Sequence, residues 1–174
     1  MNKKHVLVLV ISINVLFASA LTTVYFTGWK KLQSGEEGFL TVIGLPIGEV
    51  RYTIEELMAM PNITREYLLQ GTPTFTANYT GVSVFYLLTE KLNLTEGSTR
   101  VKVVAVDNYS YTLTLAECNA TRDIILAYLR NGERLKSGAK GGNGPLRLII
   151  PQRFSGEYNA QYCVKYVTTL KILD

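Results

Sequence analysis

Histidine is almost absent from this chain: there is one, His5, and residues 39–174 contain none. That excludes Ser-His-Asp and Cys-His catalysis from the body of the chain. Cysteine is nearly as scarce, with Cys118 and Cys163 alone, and two thiols without a histidine cannot build a typical zinc site. No Gly-Lys-Ser/Thr closes a glycine-rich run, so there is no Walker A phosphate loop. Excess charge also disappears once the chain is divided. Of the net +4, residues 1–36 supply +3, where Lys3, Lys4, Lys30 and Lys31 face Glu36, and the remainder carries +1. That balance offers no basic face for nucleic acid. Internal repeats and low-complexity tracts are missing as well. Glu55 and Glu56 read as a helix surface and Asp107 as a turn residue, so no matched acid and base stands out.

Two apolar runs open the chain. Residues 6–17 follow Lys3 and Lys4, and residues 21–29 continue up to Lys30 and Lys31. The charged start, the apolar run and Ala18-Ser19-Ala20 meet the description of a cleavable signal peptide. Taken together, residues 5–28 are long enough to cross a bilayer once, and Tyr25 and Trp29 are the aromatic types that favour its interface. Residues 1–31 are therefore expected to be an uncleaved membrane anchor or, alternatively, a cleaved signal. Either way the rest is extracytoplasmic: membrane-anchored in the first case, secreted in the second. Residues 32–38 are a polar linker, and residues 39–174 form one domain.

Outside the cytoplasm Cys118 and Cys163 could join in a disulfide; the alternative is two buried free thiols. Five Asn-x-Ser/Thr sequons, at Asn62, Asn78, Asn93, Asn108 and Asn119, fit an exported surface and are candidate glycosylation sites.

Local patterns give many short strands and two or three short helices, an α+β domain. Strands are expected at residues 39–43, 67–79 (interrupted at 71–73), 101–106, 109–115, 124–129, 146–150 and 164–173. Thr53-Ile-Glu-Glu56 has capping-box spacing and opens a helix that Pro61 ends. Residues 82–92 place Val84, Leu87, Leu88 and Leu92 on one helical face, with Ser83 near the start. Asn131-Gly132 is a two-residue hairpin signal.

Basic charge clusters late: Arg130, Arg134, Lys136, Lys140, Arg147 and Arg153 face only Glu133 in that interval. There the chain reads "SGAKGGNGPLRLIIPQRF". Gly138, Gly141, Gly142 and Gly144 would let backbone N–H groups approach an anion, with Lys140, Arg147 and Arg153 adding charged hydrogen bonds. The competing reading is a solvated surface loop. The tyrosines and phenylalanines could line a pocket for a planar ligand, or serve as ordinary core.

Several segments in order resemble the molybdopterin-binding domain of the sulfite oxidase type. "YTIEELMAMP" resembles the family's strand-to-helix opening. "YTGVSVFYLLTEKLNL" resembles its Gly-Val-Pro-Leu helix, with Ser83 at the proline. "VKVVAVDNYSYTLTLAE" is similar to its paired strands around an Asp-Gly-Tyr turn. "LAYLRNGERL", "GGNGPLRLIIPQRF" and "CVKYVTTLKI" resemble its most specific motifs. The resemblance covers residues 39–174 and implies the fold: mostly short mixed strands with two or three short helices, after one N-terminal hydrophobic helix. The cradle and the resemblance together give Lys140, Gly142, Asn143, Arg147, Arg153 and Lys165 as candidate cofactor contacts; the arginine after the proline and the lysine before the aromatic, here Arg153 and Lys165, lie near the pterin and its phosphate in that family.

One departure stands out. Catalytic members hold molybdenum through a cysteine before the Gly-Val-Pro-Leu helix, where this chain has "QGTPTFTANYTGV". Cys163 instead occupies a position where the family has serine. The expectation is thus an exported, membrane-tethered domain of this fold that binds an anionic small molecule or a membrane-protein partner, without a usual molybdenum centre, with molybdopterin itself absent rather than bound, and with no assigned catalytic residue. The first alternative is an oxidoreductase subunit that carries molybdopterin with non-standard metal coordination. The second is an accessory structural component of a membrane complex.

Overall fold

The computed structural model describes residues 38–94, 100–119 and 123–173. The hydrophobic helix expected over residues 1–31, and nearly all of the linker, lie outside the described residues. Among the described residues no helix is long and apolar enough to cross a membrane.

The chain folds into two sheets. β1 (Phe39–Leu45), β2 (Gly48–Thr53), β5 (Arg100–Ala105), β6 (Ser110–Thr114) and β10 (Val167–Leu173) form the first, in the order β2-β1-β10-β5-β6. β10 lies parallel to β1 and antiparallel to β5. The second contains β3 (Asn62–Leu69), β4 (Phe75–Ser83), β7 (Ile125–Arg130), β8 (Glu133–Arg134) and β9 (Arg147–Ile149). Its centre is β7, which pairs with β4 on one side and with both β8 and β9 on the other. Residues 135–146, the glycine-rich loop, are thus an excursion between two strands that share one neighbour.

Local chemistry explains the elements that matter for the site. α1 (Ile54–Met58) opens on a complete capping box: Glu56 N–H donates to Thr53 Oγ1 (3.1 Å), and Thr53 N–H donates to Glu56 Oε2 (2.7 Å). α2 (Val84–Tyr86) is capped by Ser83 and widens into a π turn over Leu87–Lys91. There Thr89 turns its hydroxyl back onto the Phe85 carbonyl, a bond that competes with regular helix. The Asn131-Gly132 turn has positive φ at both residues, +51° and +82°, the type I′ geometry a two-residue hairpin favours.

The structure differs from expectation in two places. The single interrupted strand at 67–79 is a hairpin of two longer strands, β3 and β4, paired from Asn62↔Val82 to Leu69↔Phe75. β2 was not expected, because a mostly exposed edge strand carries little apolar alternation. Where β4 bulges against β7, only glycine fits at position 81: a Cβ there would lie 2.3 Å from the Leu126 carbonyl oxygen.

Both cysteines are free and buried, the second of the two alternatives, in place of a Cys118–Cys163 bridge. Burial pushes the Cys118 thiol up to about 12. Of the sequon asparagines, Asn62, Asn78, Asn93 and Asn108 are exposed and Asn119 is half-buried.

Candidate functional site

The six residues expected to contact one cofactor do not converge on one cradle. Within the glycine-rich loop the backbone donors are used internally. Lys140 and Gly142 N–H groups both donate to the Ser137 carbonyl (3.0 Å each), Gly141 N–H to Gly138 (3.0 Å) and Gly144 N–H to Lys136 (2.8 Å). These groups therefore cannot form an anion nest. The glycines serve close packing: a Cβ on Gly142 would lie 2.0 Å from the Lys136 carbonyl oxygen, and one on Gly144 would lie 2.4 Å from Leu135 Cβ.

The charged residues divide among three hollows. Lys140 lines one of about 500 Å³ with Arg134 and Lys136. Arg153 lines a second, of about 410 Å³, with Arg65, Tyr111, Glu117 and Asp123. Lys165 lines a third, of about 240 Å³, with Asp107, Tyr109, Cys163 and Tyr166.

Arg153 is held by carboxylates. Its backbone N–H donates to Glu157 Oε2 (2.7 Å) and its Nε to Glu157 Oε1 (2.6 Å), with Glu117 Oε1 3.9 Å from Nη1. The guanidinium also stacks 4.9 Å from the Tyr162 ring centroid. The tie raises the Arg153 pKa and lowers that of Glu157, through their hydrogen bond first. Across the same hollow Arg65 is ion-paired with Asp123. This hollow is electrostatically closed upon itself.

Because Arg153 holds the Glu157 pKa below its ordinary value of about 4.5, the tie stabilises the folded chain fully above that pH. The contribution fades as pH falls through the lowered value. Unfolding midpoints of the parent and Glu157→Gln should therefore differ most above about pH 4.5 and approach each other in acid. A gap independent of pH would remove charge from the account.

Arg147 is the opposite case. It is 2% exposed, its Nη1 donates to the Tyr79 hydroxyl at 3.2 Å, and its Nε has no hydrogen-bond partner. Among the described residues no carboxylate lies within ion-pair distance of it. Arg130, whose guanidinium lies 4.8 Å from the Phe75 ring centroid, has an orphaned Nε too. Burial raises the Tyr79 phenol pKa, with both arginines opposing. A buried cation without a counter-charge is costly.

Backbone pairing brings Arg147 toward Lys165. Tyr166 N–H donates to the Asn143 carbonyl (3.3 Å), Val167 N–H to Leu146 (3.0 Å) and Leu148 N–H to Val164 (2.8 Å). Residues 143–148 thus run beside residues 164–167. Cys163 precedes that segment: its Sγ accepts from Ile150 N–H (3.3 Å) and lies 3.4 Å from the Asn159 carbonyl oxygen. Burial raises its pKa, opposed by the Ile150 N–H and by Arg147.

The family described as "Oxidoreductase molybdopterin binding domain" matches residues 36–174. The chain belongs to that family. No curated protein matches it. Among solved structures it is similar to the sulfane dehydrogenase SoxCD from Paracoccus pantotrophus, at 19% identity and a TM-score of 0.64 over 79% of this chain. The match spans 38% of that larger chain, so the likeness speaks for the fold. The fold is the sulfite-oxidase-type molybdopterin-binding one, mostly strands with few helices.

The residues of this family member fit part of the group its family name implies. The orphaned Arg147 Nε suits the anionic end of a pterin phosphate, and Lys165 stands on the adjoining segment. The expected thiolate position does not fit: residues 70–82 contain no cysteine, and the Thr74 hydroxyl there is bonded to both Gly71 N–H and its carbonyl.

Sequence reasoning missed Glu157 and Asn159. Asn159 is fully buried, accepts from Gln70 N–H (2.8 Å) and donates to the carbonyls of Leu68 (3.0 Å) and Ile150 (2.8 Å). It ties the end of β3 to the end of β9. No local motif announces partners some 90 positions away.

Proposed function

We propose that this chain is an exported, membrane-tethered domain that binds an anionic ligand at Arg147 and Lys165, without a molybdenum centre of the usual kind. The observation that carries it is the buried Arg147 guanidinium with its orphaned Nε, on a segment that runs beside the one bearing Lys165. The apolar run of residues 5–28 and four exposed sequon asparagines support the export and tethering. The thiolate-free segment before α2 argues against ordinary metal coordination.

Elemental analysis of the full chain, made in a host that produces molybdopterin, tests this reading. The expected result is no stoichiometric molybdenum or tungsten, together with retention of a phosphate-bearing ligand. Lys165→Ala should weaken that retention by about 1.5–3 kcal/mol, the worth of one charged hydrogen bond. Stoichiometric metal would overturn the proposal.

One observation favours a second reading, an oxidoreductase subunit with non-standard coordination. Cys163 lines the hollow of Lys165 and feels the charge of Arg147, so its sulfur is a soft ligand close to the anion-binding groups. In that case metal is present in the parent and lost in Cys163→Ser.

A further inference from the structure

We propose that the hollow beside Gly38 seats the anionic headgroup of a membrane phospholipid, held by Lys136 and Lys140. The inference rests on the reading of residues 1–31 as a membrane anchor. It concerns a different surface from the Arg147–Lys165 region.

The hollow, of about 500 Å³, has Gly38 in its wall together with Ile54, Tyr128 and Pro145. Three cations line it, Arg134, Lys136 and Lys140, against the one carboxylate of Glu55. That carboxylate is taken, 3.0 Å from Arg134 Nη1. Lys136 and Lys140 are exposed and make no ion pair among the described residues. They are nonetheless placed on a fixed frame. Lys140 ends a 3₁₀ turn over Gly138–Lys140, and the Lys136 carbonyl is clamped by Gly144 N–H. Two free ammonium groups beside an apolar wall match a phosphate joined to a glycerol and acyl chain.

Chain length places this face at the bilayer. Only six residues, 32–37, separate Gly38 from Lys31 at the end of the apolar run. Fully extended, the chain from Lys31 to Gly38 reaches at most about 25 Å. A hollow on that short a tether meets the headgroup layer at high effective concentration. Each lysine near an anionic surface is worth about a fivefold gain in association, and the charge sign suits phosphatidylglycerol over a zwitterionic lipid.

The test uses the full chain in vesicles of phosphatidylcholine with and without phosphatidylglycerol. Amine acylation of Lys136 and Lys140 is read by mass spectrometry, with Lys102 and Lys171 as references, and carbonate extraction reports anchoring separately. The expected result is labelling of Lys136 and Lys140 slowed about fivefold or more only when phosphatidylglycerol is present. In Lys136→Gln the remaining protection of Lys140 should shrink. A chain released by carbonate that still shows the lipid-dependent protection keeps this proposal and removes the anchor. An embedded chain with equal labelling in both vesicles overturns the proposal and keeps the anchor. Equal protection by soluble glycerol phosphate without vesicles also overturns it, because the ligand is then a solute.

Discussion

Replacing Asn159 with alanine is expected to destabilise the domain by about 3–5 kcal/mol, near the top of the range for a single substitution. The side chain is fully buried and makes three hydrogen bonds to backbone groups of Leu68, Gln70 and Ile150. Removing it orphans one N–H and two carbonyls between β3 and β9, and an unsatisfied buried group costs about 1–3 kcal/mol. Urea unfolding of parent and variant measures the loss. Asn159→Asp separates hydrogen bonding from volume. The aspartate keeps the acceptor for Gln70 but turns a carboxylate oxygen toward two carbonyls, which raises its folded pKa. That variant should be stable only below the ordinary aspartate range and lose stability as pH rises through the raised value. Parent-like stability of Asn159→Ala would mean that water replaces the side chain at no cost.

The second large effect runs in the opposite direction. Exchanging Arg147 for methionine together with Tyr79 for phenylalanine should leave the ligand-free domain as stable as the parent, or more stable by about 1–3 kcal/mol. Each exchange roughly conserves volume, and the pair removes a buried cation together with the hydroxyl that is its hydrogen-bond partner among the described residues. Arg147→Met alone gains less, because the fully buried Tyr79 hydroxyl is then orphaned. Anion retention should vanish in both variants. Residues that cost stability and return binding are the signature of a site. If the double variant instead unfolds several kcal/mol sooner, Arg147 is a structural residue and the anion proposal falls with it.

The sequence is informative where partners are near neighbours. Thr53 and Glu56 are three residues apart, and their capping box forms as the spacing implies. Asn131-Gly132 turns the chain by its own backbone preference. The family motifs pointed to the right fold because they extend over most of the domain. Sequence proximity misled where the fold separates neighbours. Lys140, Arg147 and Arg153 sit within fourteen positions, yet they line different surfaces, since β8 and β9 draw the ends of the loop together on β7. The glycines suggested an open nest, whereas the backbone donors bond to carbonyls inside the loop. Nothing in the composition distinguishes those two uses of glycine. Arg147 and Arg153 look alike in a list of basic residues; only the folded chain gives Arg153 a carboxylate and leaves Arg147 without one.

The position of β10 has a consequence for the order of assembly. It lies between β1 and β5, so the hairpins β1–β2 and β5–β6 share no direct strand pairing. A chain emerging N-terminus first presents both hairpins with open edges long before β10 is available to fill the gap. The second sheet can form meanwhile, because β3, β4, β7 and β9 all precede it. This leaves the first sheet as a late-closing seam, exposed to proteases and to pairing with other chains until the strand at Val167–Leu173 arrives.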